Sequence, residues 1–249
     1  DLPSMDDDDF RRGRPTSHKV FGEALAVLAG DCLLTLAFET VASNRGLDRQ
    51  LEGSQIAELI QILARAAGGS GMVGGQVLDL KAERRSFVRS EIEGRDAKSL
   101  DKKGWESSAS AVEKSGDSAA FSAIQAVTPR RISESGQNES NRSPETRVEE
   151  LSQIHKMKTG ALIAAALELG AVTAKANVEQ RKRLRQYGHC IGLAFQITDD
   201  LLDITGDQIR LGKKPGRDAD LGKLTYPGLL GIENSREKSE QLVQEACEA

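Results

Sequence analysis

Phe195-Gln196-Ile197-Thr198-Asp199-Asp200-Leu201-Leu202-Asp203-Ile204 sets three carboxylates into an apolar run that reads as helix. Asp199 and Asp203 are four apart, so on a helix they stand one above the other on one face. Asp200 lies beside them, about 100° round the axis. No basic residue falls within the stretch, and most of its other members are Phe, Ile and Leu. Like charges this close on an apolar helix repel and lose hydration. A cation offsets both costs. Carboxylate oxygens without a neighbouring Cys or His suit a hard ion such as Mg²⁺, which keeps several waters and binds substrate phosphates. The plainer alternative is a helix cap or a solvated helix edge, and the flanking apolar residues weigh against it.

A second acidic cluster opens the chain: Asp1-Leu2-Pro3-Ser4-Met5-Asp6-Asp7-Asp8-Asp9-Phe10-Arg11-Arg12-Gly13. Its carboxylates are a second candidate metal face, and Arg11 and Arg12 offer bidentate donors to anionic oxygens. Alone, this would read as a charged, frayed terminus. Beside the first stretch it reads as the other half of a site for metal and anion.

These residues carry a resemblance. DLPSMDDDDFRRGRPTSHKVFGEALAVLAGD resembles the first aspartate-rich region of trans-polyprenyl diphosphate synthases, and FQITDDLLDITGD resembles the second. HKMKTGALI and LGKKPGRDADLGKLTYPGLLG are similar to two further signatures of that family. The spacing Asp-Leu-Pro-x-Met-Asp is that of bacterial farnesyl and of bacterial or plastid geranylgeranyl diphosphate synthases. The resemblance covers residues 1–83 and 146–249 and is far more specific than any lone short pattern.

The resemblance implies the isoprenoid synthase fold, a helical bundle around a deep central cavity. It implies a prenyltransferase that condenses isopentenyl diphosphate with an allylic diphosphate to a farnesyl or geranylgeranyl product, with Mg²⁺ as cofactor. It assigns Asp6 and Asp199 as the leading metal ligands, supported by Asp1, Asp200 and Asp203. Arg11, Lys158, Thr159, Gln196, Lys213 and Lys223 match contacts to the allylic diphosphate, and Arg12 a contact to isopentenyl diphosphate. Lys158, Thr159 and Gln196 are the residues expected nearest the reacting centre. Gln76 and Asp79 match a recurrent Gly-Gln-x-x-Asp that faces the same cavity. A homodimer is implied as well. The family's first motif has one more Asp before Asp1, and its upstream helices carry isopentenyl diphosphate contacts and the residues that limit product length. The expectation is therefore that this polypeptide by itself is inactive or very weak. Two other readings remain: a terpene cyclase of the same fold, and a non-catalytic subunit of a heteromeric synthase. The full Asp-Asp-x-x-Asp and the Arg11-Arg12 pair favour the elongating enzyme over both.

The composition is on the polar side for a compact domain, much of it owed to one polar stretch described below. The chain has 249 residues, 38% hydrophobic, with a net charge of −4, enough for one or two domains. The acidic balance gives no electrostatic case for nucleic-acid binding. Cys32, Cys190 and Cys247 are scattered without metal-ligand spacing; Cys32 and Cys190 lie in apolar runs and are expected to be buried thiols. No uninterrupted apolar run is expected to span a bilayer. These features suit the cytoplasm, or a plastid if a transit peptide precedes the sequence.

The sequence predicts helices over 21–38, 54–67, 72–80, 148–176 and 179–204, and one more after residue 227, with the apolar period explicit over 54–67. The first is expected to be buried, with Asp31 a lone acid within it, and Ser54 is the expected cap of the second. Pro15-Thr16-Ser17-His18 reads as a loop, Arg181-Lys182-Arg183 as a solvated surface, and 206–231 as loop-rich. Gly68-Gly69-Ser70-Gly71 lacks the Gly-Lys-Ser/Thr of a phosphate loop. No strand signal is present, so the pattern alone gives an all-α bundle. The stretch 86–145, with Trp105, is polar and aperiodic. It exceeds the family's connection by roughly sixty residues. It is expected to be a disordered insertion, or translated non-coding sequence, within a single domain spanning 1–249.

Overall fold

A computed structural model describes residues 2–11, 13–43, 51–93, 143–206 and 223–249, with the backbone alone over 84–93. Most of the 86–145 stretch therefore lies outside the described residues, as do Asp1, Arg12 and Lys213.

The described chain is helical apart from a two-stranded ribbon, β1 (Phe10–Arg11) against β2 (Arg14–Pro15). This hairpin corrects the expectation of no strand. It is turned by Gly13 at φ 74°, a left-handed conformation that glycine adopts without steric cost. The helices follow as α1 (Ser17–Phe21), α2 (Glu23–Ser43), α3 (Gly53–Ala67), α4 (Met72–Glu93), α5 (Pro144–His155), a π-helical turn (Lys156–Gly160), α6 (Ala161–Thr173), α7 (Val178–Thr205), α8 (Tyr226–Leu230) and α9 (Ile232–Glu248).

The helix starts are written in short-range hydrogen bonds. Asn177 and Gln180 form a reciprocal capping box at α7, both bonds at 2.9 Å. Glu52, not Ser54, caps α3, exchanging bonds with Gln55. Ser143 Oγ accepts from Thr146 N at 3.3 Å, and Pro144 fills the first position of α5, where its missing N–H costs nothing.

The long helix α7 is central, with α6 and α9 packed along it. Leu193, Ala194, Ile197 and Leu201 of α7 meet Leu151, Tyr226 and Leu242 in the main core. Ile197, Leu151 and Tyr226 are at most 1% exposed, each stabilising by about 1.5–3 kcal/mol relative to exposure. A second cluster (Leu78, Ala82, Ile154, Met157) joins α4 to α5 and the π turn. A third (Leu51, Leu59, Val172) joins α3 to α6.

Helix α2 departs from expectation. None of its residues is buried: Leu28, Leu33 and Leu36 stand open, as do Asp31 and Cys32. The predicted buried helix is thus an exposed one, and Cys32 is an exposed thiol. Cys190 is half-buried. The helix spans 21 residues with a mean hydropathy of 1.7 over its most apolar window, long and apolar enough to cross a membrane by length and composition. That corrects the expectation that no such run exists. The apolar run marked a helix here, which starts at Glu23 after a break at Gly22 and runs on to Ser43; what it packs against was not legible in it. The basic start of α7 is not wholly solvated either. Arg181 Nη1 bonds Glu58 Oε1 of α3 at 2.7 Å, and its Nε bonds the Ala176 carbonyl at 3.0 Å.

Candidate functional site

Lys158 and Thr159 sit in the π-helical turn between α5 and α6. A π turn inserts an extra residue into the helical ladder and is frequent at functional positions. Two glycines press this turn into place. A Cβ on Gly75 of α4 would collide with the Lys158 backbone, and one on Gly192 of α7 would stand 2.7 Å from the Cα of Gly160. Close backbone approach, together with the Met157 packing described above, fixes where Lys158 projects.

Its ammonium meets Asp79 Oδ2 at 2.6 Å, with both side chains less than a quarter exposed. A second lysine lies on the same side. Lys223 Nζ is 3.1 Å from Asp6 Oδ1 and 3.4 Å from Glu83 Oε1. Four apart on α4, Asp79 and Glu83 share one helical face. The result is a mixed cluster of three acids, Asp6, Asp79 and Glu83, with two lysines between them.

The electrostatics follow from these neighbours. Burial pushes the Asp6 carboxyl up, but Lys223 and Lys158 together outweigh it and hold the group below its ordinary value. Glu83 goes the other way: burial raises it, the Asp79 charge adds to the rise, and Lys223 only partly opposes. His155, one turn before Lys158, is pushed down to about 4 by burial, with Lys158 adding to the fall and Asp79 opposing it. At neutral pH it is an uncharged imidazole, packed on the ring of Tyr226 at a centroid separation of 5.7 Å.

The acidic helix resolves into unlike members. Asp199 is exposed, Asp200 is buried at 9% exposure, and Asp203 at 1%. Asp200 Oδ2 accepts the backbone N–H of Tyr226 at 2.9 Å. Tyr226 opens α8 only three residues after Lys223. Three residues reach at most about 10 Å, so the segment 223–226 touches the N-terminal acidic cluster at one end and the acidic helix at the other. Gln196 and Thr159 are half-buried. Arg11 is exposed in the hairpin, opposite Arg14.

A further group draws together within the first motif. Asp7, Asp9 and His18 place ligand-type atoms within 4.8 Å of one another. Lys19 holds Asp9 at 2.8 Å. His18, expected in a loop, is instead buried in α1, its Nδ1 3.1 Å from Thr16 Oγ1. The sequence reading missed Glu83, His155, Ser152 and Tyr226. The Asp79/Glu83 spacing was a usable signal for the first of these. Tyr226 lay inside a quoted signature, but as a turn aromatic it had no periodicity to mark it individually.

The donors around Asp6 and along α7 are carboxylate oxygens, and Asp6 is held ionised. That is the donor type a hard divalent cation takes, so the residues present fit Mg²⁺ by chemistry.

The chain matches the polyprenyl synthetase family model over residues 1–112 and 118–249. It is 39% identical over 250 residues to geranylgeranyl pyrophosphate synthase 11, chloroplastic, of Arabidopsis thaliana, covering 100% of this chain and 53% of that protein. It is 38% identical over 250 residues to farnesyl diphosphate synthase of Escherichia coli K12, covering 99% of this chain and 62% of that one. Among solved structures, an FPP/GFPP synthase from Zymomonas mobilis superposes with a TM-score of 0.63 at 33% identity, over 99% of this chain and 62% of that one. A geranyltransferase from Helicobacter pylori, solved in complex with magnesium and isoprenyl diphosphate, gives 0.64 at 29% identity, over 99% of this chain and 60% of that one. The chain thus spans between half and two thirds of these relatives. With its helical fold, its two acidic motifs and a family match along nearly its whole length, this chain belongs to the polyprenyl synthetase family.

Proposed function

We propose that the protein is a short-chain prenyltransferase, condensing isopentenyl diphosphate with an allylic diphosphate to a farnesyl or geranylgeranyl product. The observation that carries this is the segment 223–226, whose Lys223 engages Asp6 and Glu83 while its Tyr226 N–H engages Asp200. Such a bridge ties one acid of each motif to a single lysine-bearing segment about 10 Å long, which supports the ionisation of an allylic diphosphate. The leaving group develops several negative charges, and fixed cations must stabilise them.

Among the described residues, Lys158 and Lys223 are the lysines that face this acidic cluster. Each is paired with acid: Lys158 with Asp79, Lys223 with Asp6 and Glu83. An arriving diphosphate exchanges these carboxylates for phosphate oxygens, which are better partners for an ammonium point charge. The acids released are then available to a divalent cation. Asp6, Asp199 and Asp203, with Asp1, would hold Mg²⁺, which when bound supplies charge neutralisation of the diphosphate. Thr159 and Gln196 would hydrogen-bond the same group, as the resemblance implies. Arg11 and Lys213 would complete the allylic side, and Arg12 the isopentenyl side.

The carbocation is attacked by the isopentenyl double bond, and a proton then leaves. His155 is not the base: it is buried and committed to packing on Tyr226. The released diphosphate is the base this reading assigns. The open apolar face of α2 supports a homodimer or contact with further helices of the same chain, since exposed leucines on this scale mark an interaction surface. A plastid or cytoplasmic location follows the relatives.

The test is incubation of the full-length protein with labelled isopentenyl diphosphate, allylic primers of increasing length and MgCl2. The expected outcome is chain elongation, falling by about a hundredfold or more in Lys223→Met and Asp199→Ala. Consumption of the allylic diphosphate alone, with no isopentenyl label in the product, would instead indicate a cyclase.

A further inference from the structure

The Asp200 carboxylate takes the backbone N–H of Tyr226, a directional bond that the packing of the Tyr226 ring in the core does not by itself require. Tyr226 is held at three points. Its ring lies on His155 of α5, its side chain is buried in the main core, and its backbone N–H is taken by Asp200 of α7. It is the first residue of α8, whose start is further fixed by Thr225 Oγ1 accepting from Gly228 N. The first N–H groups of a helix lack partners within it. The Asp200 carboxylate therefore caps α8 from another helix, a position where its negative charge is favoured.

The consequence falls on Lys223. A lysine side chain is long, flexible and costly to order. Its ammonium reaches both Asp6 and Glu83, and with only 17% of the side chain exposed it has little room to wander. A fixed Cα is what makes that reach reproducible; Leu224 packs against the main core beside it, and the first backbone hydrogen bond that ties the segment to α7 is at Tyr226.

We propose that Asp200 and Tyr226 form a positioning pair: Asp200 anchors the start of α8 and thereby sets the reach of Lys223 into the diphosphate site, rather than acting as a metal ligand. This rests on the prenyltransferase reading above, and it divides the Asp-Asp-x-x-Asp motif by task. The exposed Asp199 and the adjacent Asp203 serve the cation, and Asp200 serves the lysine segment.

The experiment uses the full-length protein and inorganic pyrophosphate as probe, titrated calorimetrically at saturating MgCl2, with thermal melting as a check on folding. An amide oxygen accepts the Tyr226 N–H as a carboxylate does, but it is a poor substitute as a metal ligand. Asp200→Asn should bind pyrophosphate within twofold of the parent, and Asp200→Ala should bind it at least tenfold more weakly. In a Lys223→Met background, Asp200→Ala should add less than twofold, because it acts through the lysine already removed. Asp199→Ala in that background should multiply the loss. Asp200→Asn weakening binding tenfold, or Asp200→Ala and Lys223→Met losses that multiply, would overturn the proposal. If Asp200→Ala does not fold, the Asp200→Asn result decides alone. A parent that binds no pyrophosphate sinks the prenyltransferase reading and this inference together; a parent that binds while Asp200→Asn fails sinks only the inference.

Discussion

Replacing Gly192 by alanine sets two effects of known sign against each other. In a helix interior, Ala is favoured over Gly by about 1 kcal/mol. At Gly192, however, the added Cβ stands 2.7 Å from the Gly160 Cα, where an ordinary contact is 3.4–4 Å. Relief requires α7 and the π turn to part by about 1 Å, and overpacking of this kind costs about 1–3 kcal/mol, occasionally more. Backbone cannot rotate aside as a side chain would, so the upper part of that range applies. The net expectation is destabilisation by about 1–2 kcal/mol, a fall in Tm of about 2–8 °C for a chain of this size. Gly170 is the internal control: it lies in α6, and a Cβ there meets nothing within 4 Å. Gly170→Ala should raise Tm by about 2–4 °C. Because the same displacement moves Lys158, Gly192→Ala should also weaken pyrophosphate binding while Gly170→Ala leaves it unchanged. Calorimetric melting of both variants beside the parent is the assay. If Gly192→Ala melts at or above the parent, close approach does not hold the Lys158-Thr159 turn in place.

The buried imidazole makes a pH prediction. His155 has its folded value near 4 against 6.5 in the open chain. Below pH 6.5 the unfolded state takes up a proton that the folded state refuses, so this stability is full above 6.5 and lost as pH falls toward 4. The gap corresponds to about 3 kcal/mol, and His155→Phe should remove that slope from melting curves taken across the range. Asp6 and Glu83 should act with opposite signs. Asp6, held low, contributes stability present above about 3.8 and lost as pH falls through its lower folded value. Glu83, held high, costs stability as pH rises from 4.5 through its raised value. Asp6→Asn and Glu83→Gln should therefore shift the acid limb of the stability profile in opposite directions. On the open face of α2, Leu28→Glu should lower the mass measured by light scattering from dimer to monomer without loss of helicity; an unchanged mass would remove α2 from any dimer contact.

Much of this was written along the chain. Long apolar runs, and a helical apolar period over 54–67, placed the helices, and the Asp199/Asp200/Asp203 and Lys158-Thr159 spacings marked the chemistry, because helix faces repeat every few residues and need no distant partner. Two terms were beyond that range. Which face of α2 would be open depended on what packs against it, and an apolar helix looks the same whether covered or bare. Which acids the lysines would hold depended on partners 79 residues away for Lys158 and 217 away for Lys223. The three aspartates of the motif are likewise equivalent as letters. Only the rotation of α7 against the start of α8 turned Asp200 inward to an N–H group and left Asp199 facing out, because burial is fixed by the neighbouring helix and not by the residue itself.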